Sequence, residues 1–207
     1  MSSRFTRKQD NRKPRKVIFI YSEGTKTEPN YFNAIKTELR LQEVDIKVHG
    51  CADHTLPLVR WVIDRKTEAG NSDEGTEWWV VFDKDAHDGF DDAIKLAREN
   101  GIDTAYSNEC FELWFILHFD FLNTAIGREN YYSKLTKLLG TKYEKCTSNI
   151  YELIKDNEAT AIRNAKKLEE QHDTSGTKSS QKRDPSTTVY MLVEKLRELK
   201  ISRDIDN

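Results

Sequence analysis

The chain is poor in cysteine, and the three it has, Cys51, Cys110 and Cys146, are odd in number and far apart. No CxxC zinc knuckle or disulfide framework follows from that spacing, and a reducing cytoplasm suits it. Long apolar runs are also missing. None approaches the roughly 20 residues of a membrane span, and the N-terminal MSSRFTRKQDNRKPRK has no apolar stretch behind its positive charges. A secreted or membrane-embedded protein is therefore not expected. Net charge is nearly absent as well: 33 Lys and Arg meet 35 Asp and Glu, a formal −2. By itself that balance argues against a polyanionic partner. No internal repeat is visible.

What the 207 residues do contain is enough for one domain, or one domain with a small appendix. With 37% hydrophobic residues and four Trp the chain can bury a core, which excludes wholesale disorder. The neutral total hides an asymmetry. Residues 1–16 hold seven basic side chains and one acid, a local +6, so the body carries −8. The leader reads either as a flexible arm that tracks phosphates without demanding a sequence, or as a solvated leader with no partner.

After this arm (residues 1–15), Val17-Ile-Phe-Ile-Tyr-Ser22 is too uniformly apolar to alternate, as in a strand buried on both faces. Pro29 suits a first helical turn, and Tyr31, Phe32, Ile35 and Leu39 recur at helical spacing. VDIKVH (44–49) alternates like a strand nearer an edge. A helix over Leu56–Gly70 follows, then the central-type strand Trp78–Phe82, a helix over Phe90–Asn100, a strand over Ile102–Tyr106 and the apolar helix CFELWFILHF. Four strands alternating with helices predict an α/β fold over 16–120, a mainly parallel sheet with helices on both faces and its site at the carboxyl ends of the strands. Residues 121–207 read as a helical extension, interrupted near 172–186 by a polar stretch expected to be a mobile loop.

Carboxylates stand at the ends of two of these strands. Glu23 follows the first central strand, and Asp83 and Asp85 close the third. Residues i and i+2 of a strand face the same way, so both aspartates can address one locus, and Glu23 joins them if the two strands are neighbours. Three such acids repel one another unless a cation neutralises them, and an oxygen-only set favours Mg²⁺ or Mn²⁺, one ion or a pair. Such ions serve phosphoryl transfer. An isolated DxD is weak, because Asp is common at turns and helix starts. The coupling to Glu23 strengthens it, as does Gly24, where a missing Cβ lets backbone approach a phosphate. Glu28 reads equally as a ligand for a second metal or as dipole compensation in a helix's first turn.

These residues carry a resemblance. A strand ending in Glu-Gly, an alternating α/β stretch and a strand ending in Asp-x-Asp resemble the Toprim domain of topoisomerases, bacterial primases and OLD-type nucleases. More narrowly, EGTKTEPNYF, VVFDKD, SNECFELWFILHF and DPSTTVYMLVEKL, in one order over Val17–Leu196, resemble the RloB-like family of bacterial phage-defence proteins. The resemblance implies a Toprim-like, Rossmann-like fold, divalent metal at Glu23, Asp83 and Asp85, and nuclease activity on DNA or RNA in abortive infection. It also implies an association with an ATPase partner. The alternative is a non-catalytic scaffold or sensor of the same fold bound to that ATPase. A homo-oligomer is compatible with either. Where the pattern usually has Pro after Ser-Asn, this chain has Glu109.

Around that centre, Lys26 is placed to meet a phosphate or is an ordinary turn lysine. Ser107 and Asn108 end the fourth strand, where they are expected to touch substrate, with Asn108 capping the next helix; Glu112 lies one turn inside it. His87 is a loop histidine with an acid–base reading, and His118 a core residue. Trp114, Phe115, Leu117 and Phe119 read as core rather than as a base-stacking platform. Ser186 and Thr187 read first as caps for the last helix, and alternatively as an anion site fed by Lys178, Lys182 and Arg183 from a lid-like loop. A phosphatase using a DxD nucleophile fits less well, since here the motif ends the third strand and lacks the following Gly-Thr.

Overall fold

A computed structural model describes residues 17–42, 44–48, 55–70, 75–84, 89–145 and 147–205. Strand β1 (Val17–Ser22) is followed by helix α1 (Thr27–Leu39), β2 (Val44–Val48), α2 (Thr55–Ala69), β3 (Thr76–Asp83), α3 (Phe90–Glu99) and β4 (Asp103–Asn108). The second half holds α4 (Glu112–Leu117), α5 (Arg128–Leu139), α6 (Ile150–Ile154), α7 (Glu158–Thr174), a two-residue β5 (Ser186–Thr187) and α8 (Val189–Ile205). The sheet order is β2-β1-β3-β4-β5. The first four strands are parallel, and β5 pairs antiparallel with β4.

Alternation along β3 divides the core. Trp79 and Val81 face one cluster with Ile18, Ile20 and Ala105, while Trp78, Val80 and Phe82 face another with Tyr21 and Tyr106. The second cluster is closed by α2 and α3, where Phe90, Ala93, Ile94 and Ala97 fall on one stripe. The first takes α1 together with the later helices: Tyr31, Trp114, Tyr131, Tyr151, Leu168 and Leu196 all belong to it. Residues after 120 therefore form one layer of the same core, and the sheet has five strands rather than the expected four. The fifth escaped the apolar pattern because it is two hydroxyl residues long. It is bound by hydroxyl chemistry: Ser107 Oγ and Thr187 Oγ1 lie 2.9 Å apart, Thr187 donates to Tyr106 O (3.0 Å), and Thr188 Oγ1 accepts from the Tyr106 amide (3.0 Å).

The stretch near 172–186, expected to be a mobile loop, is tied to the body. Asn108 Nδ2 faces the carbonyls of Ser180, Gln181 and Arg183 at 3.1–3.3 Å, and the Asp91 carboxylate accepts from Ser179 Oγ and from the Gln181 amide (2.9 Å). His172 Nε2 donates to Pro185 O at 3.0 Å. These bonds, most of them half-buried, replace the apolar contacts that a polar sequence lacks. No helix among the described residues is long and apolar enough to cross a membrane.

Candidate active site at the strand ends

Order 2-1-3-4 places the reversal of winding between β1 and β3, with α1 on one face of the sheet and α3 on the other. In open α/β sheets the crevice beyond the carboxyl ends of the strands at that switch point is where ligands bind. Glu23 and Asp83 lie on its two sides. The Glu23 amide donates to Val81 O at 3.0 Å, so the two strand ends are laced together one residue past the ladder. Ser22 Oγ donates to Gly24 O (2.8 Å) and shapes the turn.

The side chains then diverge. Asp83 follows Trp79 and Val81 toward the first face, where the Arg128 guanidinium stands 4.0 Å from its Oδ2. Glu23 turns toward the start of α2, with Thr55 Oγ1 3.5 Å from its Oε2. Glu28 is buried, and its carboxylate lies over Gly24 so closely that a Cβ there would fall inside it. This is the concrete reason for glycine at position 24: the absent side chain makes room for Glu28. Lys26, by contrast, is exposed.

Asp85, His87 and Asp88 lie outside the described residues, so the expected metal trio is represented by Glu23 and Asp83. Among the described residues no three His, Cys, Asp or Glu side chains converge on a single point. The fit of a divalent cation rests on chemistry and placement: Glu23 and Asp83 are hard oxygen donors on adjacent strand ends at the switch point.

Buried polar groups lie near Asp83. Cys110 is buried, and its thiol is pushed well above the ordinary range by burial first, then by the carboxylates of Glu112 and Asp83. Glu112 is itself only 3% exposed and accepts a hydrogen bond from Tyr143 Oη (3.0 Å). Tyr132 is pushed up to about 12, mainly by burial and next by Glu112. Glu112 is thus a buried acid bonded to Tyr143. Ser107 and Asn108 are also fully buried. Ser107 is bonded to Thr187, and Asn108 turns to residues 180–183, leaving the start of α4 without a side-chain cap. The Asn108–Glu109 peptide bond, where the resemblance led one to expect proline, is cis.

The late segment behaves likewise. Ser186 and Thr187 are buried, and Arg183 is committed to Asp173 and to the Thr177 carbonyl. Lys178 and Lys182 are both exposed. An anion site on the hydroxyls of 186 and 187 is not formed, because those groups lie in the sheet edge. Arg128, Cys110 and Tyr143 were not singled out from the sequence, since nothing in their spacing marks residues brought in from later elements.

A family model described as RloB-like protein matches residues 18–196. No curated protein and no solved structure matches the chain.

Proposed function

Since the chain belongs to the RloB-like family, we propose that its strand-end acids form the centre of a Toprim-like nuclease that hydrolyses phosphodiester bonds of DNA or RNA in bacterial anti-phage defence. The observation that carries this reading is the position of Glu23 and Asp83 on either side of the β1/β3 switch point. Glu23 and Asp83, with Asp85 from the same strand-end motif, would hold Mg²⁺ or Mn²⁺. Bound there, the ion supplies charge stabilisation at a phosphoryl group and a more acidic water.

The chain's own groups set the surroundings. Gly24 leaves the volume that Glu28 occupies, so a further carboxylate stands against the turn that follows β1. Glu112 is held by Tyr143 and lies beside the buried Cys110. Backbone pairing of Lys84 N with Ser107 O (2.8 Å) keeps the end of β3 in register with β4, which restricts where Asp83 can point. Purified protein given Mn²⁺ should nick plasmid DNA or cut RNA, and Asp83→Ala should abolish the cut. Cleavage unchanged in that variant overturns the assignment.

A further inference from the structure

Arg128 is the first residue of α5, delivered by Gly127 at φ 68°, and it projects to the same end of the sheet as Asp83. One guanidinium nitrogen donates to Glu109 O at 3.0 Å, and the group stands 4.0 Å from Asp83 Oδ2 with 44% of the side chain exposed. The helix does not account for an arginine here, since a cation in the first turn opposes the helix dipole.

The surroundings do call for a cation. Glu23 and Asp83 stand at adjacent strand ends and Glu109 follows the end of β4, so a phosphodiester approaching the switch point would meet like charge. Arginine's planar fork matches two non-bridging phosphate oxygens, and the Glu109 carbonyl already fixes its direction.

We infer that Arg128 is a substrate-binding residue, meeting the phosphate that lies over Asp83. The inference rests on the nuclease reading for the class of ligand, nucleic acid, but its test does not need turnover. Binding of short single-stranded DNA, single-stranded RNA and duplex DNA is measured in EDTA across a salt series, for the wild type, Arg128→Ala and Arg128→Lys. A single phosphate contact contributes about 0.9 to the slope of log K against log salt on duplex DNA, and somewhat less on single strands. Arg128→Ala should therefore bind roughly tenfold or more weakly, with the slope shallower by about one. Arg128→Lys should keep the wild-type slope while losing part of the affinity, because a point charge replaces the fork. Should Arg128→Ala unfold, Arg128→Met keeps the aliphatic stem and carries the same expectation. Wild-type affinity and slope in the charge-removing variants would overturn the role of Arg128 and leave the nuclease reading standing. A wild-type protein that binds none of the three nucleic acids would overturn both.

Discussion

Replacing Gly24 by Ala tests whether the strand-end turn is built around Glu28. Gly24 does not have a positive φ, so its φ does not exclude alanine, and the smaller entropy of the unfolded chain should favour alanine by about 0.4–1 kcal/mol. Against this stands the new Cβ, which falls inside the Glu28 carboxylate. Glu28 is 7% exposed, so it must leave a packed site, at a cost of about 1–3 kcal/mol for displaced side chains. Gly24→Ala should therefore destabilise the protein by roughly 1–2 kcal/mol. In a Glu28→Ala background the obstacle is gone, and the same change should be neutral or stabilising by up to about 1 kcal/mol. The cycle predicts a coupling of about 1–3 kcal/mol, within the range for residues in contact. Urea unfolding of the four proteins measures it, provided m stays constant. Equal effects of Gly24→Ala in both backgrounds would refute the packing argument, and with it the explanation of the glycine in this motif.

The remaining predictions concern buried polar groups. His118 is buried, its Nδ1–H donates to Trp114 O (2.9 Å), and its Nε2 has no hydrogen-bond partner among the described residues. Burial holds it down to about 4 against an ordinary 6.5. As pH falls through that window the unfolded chain takes up a proton that the folded chain does not. Stability is therefore full above about pH 6.5 and should drop by about 2 kcal/mol between about pH 7 and pH 5. Chemical denaturation at the two values should show that much less loss in His118→Asn. Thr188 Oγ1 accepts from the buried Tyr106 amide (3.0 Å) and donates to Thr104 O (3.3 Å), so isosteric Thr188→Val should cost about 1–3 kcal/mol in unfolding free energy by stranding the amide. An unchanged urea midpoint would show that the hydroxyl does not complete the sheet edge.

Much of the fold was legible because its signals are local. The uniformly apolar strands at 17–22 and 78–82, the helical stripes at 31–39 and 90–97, and Gly101 at a helix end each lie within one window of sequence. Glu23 and Asp83 were legible as well, since a polar residue ending an apolar strand of a parallel sheet has one place to go. Thr187 does cap α8, accepting from the Val189 amide (3.3 Å), but the substrate readings of Ser107, Asn108, Ser186 and Thr187 could not be told in the sequence from pairing within the sheet. A hydroxyl or amide at a strand end looks the same in sequence whether it faces a ligand or the next strand, and only β5, from residues about 80 positions later, decides which.

By itself, then, the sequence determined the parallel α/β core, the order of its elements and the two acids at the switch point, because backbone preference and apolar periodicity act within a few residues. The tertiary structure alone decided the rest. It set Glu28 over Gly24, bonded the buried Glu112 to Tyr143 and brought Arg128 to the strand ends. It also closed the sheet with two hydroxyl residues. Each of these depends on a long-range approach whose stabilisation comes from burial and from hydrogen bonds made after the chain has collapsed, and no local pattern encodes it.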